Sequence, residues 1–191
     1  MNKSKKNVGK YKRVKNKKSK SKNKTKNGGI RIYKLDGKII GDPNILHEGK
    51  DFFRKMTNDK NELEICKLLM KNPHKNIIKI YDVTKNYIDM ELLNTYINRI
   101  DISEIKKVMA EVKTYLQNLG VIYIDWKLDN IGISPDGQYK LFDFDVSGLV
   151  NVETQKWILK PQKLYSYNEA IQNGMTRPIE IDNYAFDIGL R

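Results

Sequence analysis

Residues 121–145 (VIYIDWKLDNIGISPDGQYKLFDFD) gather the side chains best suited to chemistry. A short apolar segment delivers Asp125, Lys127 and Asn130 on one polar loop. The turn Ser134-Pro135-Asp136-Gly137 then sends the chain back, bringing Asp143 and Asp145 beside them. One Asn and two or more carboxylates converging from two strand ends form a hard-oxygen site suited to Mg2+, an ion usually held by few protein ligands plus phosphate oxygens. A neighbouring Lys and a spare Asp suit phosphoryl transfer, in which catalysis is mostly positioning and charge neutralisation. Without further context, the same hairpin also reads as a surface turn with solvated acids.

The elements that must position these groups are legible from periodicity. Residues 30–40 are β-rich with a turn signal at Asp36-Gly37, and residues 49–56 (GKDFFRKM) read as a strand after a glycine turn. Residues 61–70 (NELEICKLLM) predict a mostly buried helix ended by Asn72-Pro73. Two short strands are expected at 77–83 and 87–93. The clearest helix opens with Ser103 as N-cap, carries Ile105, Val108, Met109, Val112, Tyr115, Leu116 and Leu119 at helical spacing, and stops at Gly120. Strands at 121–124 and 139–142 frame the polar loop, and there is no internal repeat.

In this order the segments resemble the protein kinase superfamily. DWKLDN is similar to the D-x-K-x-x-N part of H-R-D-x-K-x-x-N, and DFD stands where D-F-G belongs. GKDFFRKM resembles the G-x-x-V-A-I-K strand, and Glu62 falls on the following helix where the partner glutamate of Lys55 belongs. NPHKNIIKIYDV, the hinge-like YIDMELL and the helix start DNYAFDIGL (182–190) complete the likeness, which covers about residues 30–191.

The resemblance implies an α+β, two-lobe kinase-like fold with a shortened large lobe: a basic tail at 1–28, a small lobe and hinge at 29–93, and a large lobe at 94–191. It implies ATP and Mg2+ as cofactors. Asp125 becomes the catalytic base and Lys127 the cation on the transferring phosphoryl group. Asn130 and Asp143 become metal ligands, with Asp145 as an additional candidate. Lys55 becomes the phosphate-pairing lysine held by Glu62, with Glu64 the fallback, and Met90, Glu91 and Leu92 line the nucleotide site. The Lys two places after Asp125 resembles Ser/Thr protein kinases, whereas the DFD triplet is similar to kinases of lipopolysaccharide sugars. The leading expectation is therefore transfer of the ATP γ-phosphoryl group to a hydroxyl, most simply Ser/Thr on a protein. Its rivals are a pseudokinase or interaction module without turnover, and a docking protein tethered to nucleic acid by its tail.

The chain departs from the pattern in four places. No G-x-G-x-x-G precedes Lys55. Tyr123 and Ile124 replace the motif's His and Arg, so an activation-loop phosphate lacks its usual counter-charge. Asp145 replaces the glycine, adding a negative charge at some cost in backbone freedom. The chain also stops at Arg191 with the large lobe half built, which implies a minimal lobe, a split reading frame, or a partner covering the exposed apolar face.

Charge is segregated. The formal net charge is +13, and residues 1–27 carry thirteen basic side chains and no acid, so the remainder is neutral. Such a segment cannot bury enough apolar surface to fold and is expected to be disordered. It reads as an arm for nucleic acid, an acidic membrane surface or nuclear import, or as a solubilising tail. If about six of its charges met phosphates, affinity should fall on the order of a thousandfold between 50 and 200 mM salt. No apolar run reaches the roughly 18–20 residues of a membrane span, and no secretory signal is evident. A lone Cys66 forbids an internal disulfide and, with two isolated histidines, makes a structural zinc site improbable. An intracellular setting, cytoplasmic or nuclear, follows. Richness in Lys, Asn and Ile suits an AT-rich genome, such as that of a large DNA virus working in host cytoplasm or virion.

Overall fold

The computed structural model describes residues 34–35, 38–39, 52–96, 101–161 and 165–190. The expectations for the basic tail, for Asp36-Gly37 itself and for the glycine turn at Gly49 lie outside those residues.

Strands β1 (Lys34–Leu35) and β2 (Lys38–Ile39) pair antiparallel around the expected turn. Next come β3 (Phe52–Met56) and α1 (Lys60–Lys71), then β4 (Ile80–Val83) and β5 (Tyr87–Glu91). The order β3-β5-β4 makes a three-stranded antiparallel sheet, with Lys55 opposite Ile88 and Arg54 opposite Asp89. Helix α1 packs on this sheet through Leu63, Ile65, Cys66 and Leu69. Its first turn is set by Asp59, whose carboxylate accepts from the Glu62 amide at 2.9 Å, satisfying an orphan donor and placing Glu62 on the sheet side.

The second lobe combines the longest helix with short strands. Helix α2 (Ile102–Asn118) buries Ile105, Met109, Val112 and Leu116 completely. Its N-cap is Asp101 rather than Ser103: the Asp101 carboxylate accepts from the Glu104 amide at 3.0 Å. The D-x-x-E spacing, also present in α1, outcompetes the serine because it satisfies the third amide of the helix. Gly120 follows with φ +79, and a Cβ there would lie 2.4 Å from the Val150 carbonyl oxygen, so glycine is required by conformation and by space.

Strand β6 is only Val121–Ile122, because Ile124 turns left-handed at φ 69 and ends the extended run expected through 124. A 3-10 turn (Leu128–Asn130) leads into the hairpin β7 (Ile131–Ile133) and β8 (Tyr139–Leu141). Strands β9 (Gly148–Val150) and β10 (Trp157–Leu159) join β6 in the order β10-β9-β6. Helices α3 (Tyr165–Gln172) and α4 (Pro178–Gly189) pack together to complete the lobe. Arg177-Pro178-Ile179-Glu180 opens α4: Glu180 accepts from the Arg177 amide at 3.1 Å, and proline at the first helical position needs no donor.

The β7–β8 hairpin is clamped to the sheet lobe from two sides. Ile78 donates to the Leu141 carbonyl at 2.9 Å, Leu141 donates back to Asn76 at 2.9 Å, and Asn94 and Ile133 exchange two bonds of 2.9 Å. The hairpin starts just after Asn130 and ends just before Asp143, so these bonds fix both residues relative to β3 and β5. Among the described residues, no helix is long and apolar enough to cross a membrane.

Candidate active site

Alternation along β3 points Lys55 away from Arg54, toward α1 and the second lobe. The Lys55 ammonium reaches Glu62 Oε1 at 2.7 Å and Asp143 Oδ1 at 2.6 Å. Three elements distant in sequence therefore meet on one cation. Burial opposes the charge of Lys55, but its hydrogen bonds to Asp143 and Glu62 outweigh this and hold it protonated well above the ordinary range. Burial pushes Glu62 upward, with Lys55 opposing. Glu62 Oε2 is buried and has no hydrogen-bond donor in normal geometry, although the Thr57 hydroxyl is near enough to favour its charge.

At the end of the 3-10 turn that precedes the hairpin, the buried Asn130 amide donates to the Asp125 carbonyl at 3.0 Å and to Asp125 Oδ2 at 2.8 Å. Lys127 Nζ sits 2.7 Å from the same Oδ2, and this contact raises its pKa. Both partners fall on one carboxylate oxygen. Asp143 adopts φ 63, a left-handed conformation that short polar side chains tolerate.

Two further groups hold the loop. Tyr123, fully buried at the position of the motif's histidine, donates its hydroxyl to the Phe142 carbonyl at 2.6 Å and so ties the Asp125 loop to the Asp143 loop. Asp182 on α4 is completely buried. Its Oδ1 accepts from the Ile124 amide at 3.0 Å and from Trp126 Nε1 at 2.8 Å, and its Oδ2 from Gln117 Nε2 at 2.8 Å. Burial raises its pKa against these three donors. A β-branched residue at positive φ is strained, and Ile124 is held there by the Asp182 bond. Neither role was visible in sequence. Asp182 lay inside the recognised helix start, but only folding shows what it accepts from.

Two cavities meet at Asp143. One, about 480 Å3 and mainly apolar, lies between the sheet and the hairpin and is lined by Lys55, Met90, Glu91, Leu92, Phe142 and Asp143. The Glu91 carboxylate is held through Oε1 by Lys140 at 2.7 Å and by the Lys79 amide at 2.5 Å. Leu93 lines this cavity as well and was not singled out in sequence. The other, about 490 Å3, is lined by Asp125, Lys127, Asp143 and Asp145, with Ser166 and Gly189 on its far wall. Asp145 belongs to the second cavity alone. It is not among the residues with positive φ, so it replaces glycine without backbone strain. Its carboxyl is pushed up by burial and then by Asp143.

Among the described residues, no three of His, Cys, Asp and Glu converge as a self-sufficient metal cage. Mg2+ held by one carboxylate, one amide oxygen and substrate phosphates needs no such cage, and the oxygen donors of Asp143 and Asn130 fit it.

A family model described as protein kinase domain matches residues 43–190. No curated protein matches the chain significantly. The match spans the lysine strand, both catalytic-type loops and α4, the elements that converge on Asp143, and by that match the chain belongs to the protein kinase domain family.

Proposed function

We propose that the chain is a phosphotransferase that moves the γ-phosphoryl group of ATP to a hydroxyl, most simply that of Ser or Thr. The observation carrying this reading is the Lys55 bridge, 2.7 Å to Glu62 and 2.6 Å to Asp143, next to Asp125 held by Asn130 and Lys127. Residues 29–93 act as small lobe and hinge and 94–191 as large lobe.

The adenine ring enters the apolar cavity against Met90 and the main chain of Glu91 and Leu92, and Lys55 faces the phosphates. Asn130 and Asp143 hold Mg2+, which supplies charge neutralisation on the phosphate oxygens. The acceptor hydroxyl sits in the second cavity, where Asp125 takes its proton as the oxygen bonds to the γ-phosphorus and the bond to the bridging oxygen of ADP breaks. Lys127, half-exposed beside Asp125, neutralises the charge on the transferring group. Asp143 lines both cavities, as transfer between them requires.

Calorimetry of MgATP binding to the full chain tests the reading, alongside phosphate release or transfer. Mg2+-dependent binding lost in Asp143→Asn, with turnover lost in Asp125→Asn, is expected. Binding without turnover on any hydroxyl acceptor would make the chain a nucleotide-binding interaction module instead.

A further inference from the structure

The cavity holding Asp125 has a charge that constrains its acceptor. Among the described residues its lining carries Asp125, Asp143 and Asp145 against Lys127 alone, an excess of two negative charges, and the adjoining Lys55–Glu62 pair adds none. One Mg2+ cancels that excess, and the phosphates of ATP add about four more negative charges, so the loaded site remains anionic. A hydroxyl flanked by cations is attracted there, and one flanked by acids is repelled. Asp145, which touches this cavity and not the nucleotide cavity, adds its charge on the acceptor side.

The chain carries such hydroxyls itself. Ser4, Ser19, Ser21 and Thr25 are the only Ser and Thr residues before Gly28, and each stands between two lysines. No other Ser or Thr in the chain is so flanked. With twelve lysines among residues 1–27, chance would put lysine on both sides of a given residue about one time in five, so four out of four is more than composition explains. Reach is no obstacle. The 15 residues from Ser19 to Lys34 span up to about 50 Å and the nine from Thr25 up to about 30 Å, against a body roughly 40 Å across, and transfer between two copies needs no such span.

We propose that the N-terminal segment of this chain is a phosphoacceptor of its own kinase domain, modified at Ser4, Ser19, Ser21 and Thr25. This rests on the phosphotransferase reading above. In each transfer the side-chain oxygen bonds to the γ-phosphorus of ATP, the bond to the β,γ-bridging oxygen breaks, the hydroxyl proton goes to Asp125, and ADP leaves. Each phosphate brings roughly 1.5–2 negative charges. Four of them take the thirteen positive charges of the segment down to about five to seven, which weakens any attraction it has for polyanions.

The test incubates the full chain with MgATP and maps phosphate by mass spectrometry, beside Asp125→Asn and a variant with all four acceptors changed to alanine. A synthetic peptide of residues 17–26 and a peptide with its lysines replaced by glutamate serve as added acceptors. Phosphate on the four positions, absent from Asp125→Asn, with the lysine peptide modified at least tenfold faster than the acidic one, is the expected result. An unmodified tail in a protein that phosphorylates an added peptide overturns this inference and leaves the phosphotransferase reading standing. The same holds if the four-alanine variant takes up as much phosphate as the parent. No transfer to any acceptor overturns both.

Discussion

Asp182 offers the sharpest test of how the Asp125 loop is held. In Asp182→Ala, the Ile124 amide and Trp126 indole N–H lose their acceptor inside the core, whereas half-buried Gln117 can turn to water. Two stranded donors cost about 1–3 kcal/mol each, and relaxation of Ile124 from φ 69 returns about 1–2 kcal/mol. At the midpoints of these ranges the net loss is about 2.5 kcal/mol. Asp182→Asn keeps an oxygen for Ile124 and Trp126 and removes a buried charge whose pKa burial had raised. Its new amide opposes Gln117, which can flip at the cost of a 3.2 Å bond to Asn183, for a loss of about 1 kcal/mol or less. Urea unfolding at neutral pH, followed by the fluorescence of Trp126 and Trp157, measures both. The reasoning fails if alanine costs under about 0.5 kcal/mol, or if asparagine costs as much as alanine.

Gly189→Ala should be among the most damaging single-methyl changes, since its Cβ would lie 1.6 Å from the Trp126 carbonyl oxygen. Turnover should fall at least tenfold as the loop moves, while Gly137→Ala, with open space around it but φ +83, should cost only about 1 kcal/mol of stability. Tyr123→Phe leaves the Phe142 carbonyl without its 2.6 Å donor and should lower stability by about 1–2 kcal/mol in the same urea assay. Lys55→Met removes the cation that opposes the burial-raised pKa of Glu62. A carboxyl whose folded pKa lies above its unfolded value makes the fold most stable below the unfolded pKa, and stability is lost as pH rises through the folded one. The melting deficit of Lys55→Met relative to the parent should therefore widen from pH 4 to pH 7; a constant deficit would refute the assignment.

Much of the architecture was legible locally. Helices α1 and α2, the sheet strands and the turn at residues 134–137 follow from apolar period and turn chemistry, which act within a few residues. The α2 cap rests on Asp101 and Glu104, a local D-x-x-E spacing, and not on the equally local Ser103. Strands β9 and β10 and helix α3 carried too few apolar residues at regular spacing to announce themselves, and they exist because β6 and α4 give them partners.

Sequence alone determined which chemistry was on offer: Asp125, Lys127, Asn130, Asp143 and Asp145 on one loop and hairpin, with Lys55 and Glu62 upstream. It also determined the confinement of positive charge to the first 27 residues. Tertiary structure decided which of those groups meet. Lys55 and Asp143 are 88 positions apart and touch only because the hairpin is clamped to residues 76–78 and 94. Asp182, 58 positions after Ile124, becomes an anchor only when α4 closes over the loop. A residue's type and its near neighbours set what it can do. Pairing across such separations depends on the summed packing of every element between, which no local pattern encodes.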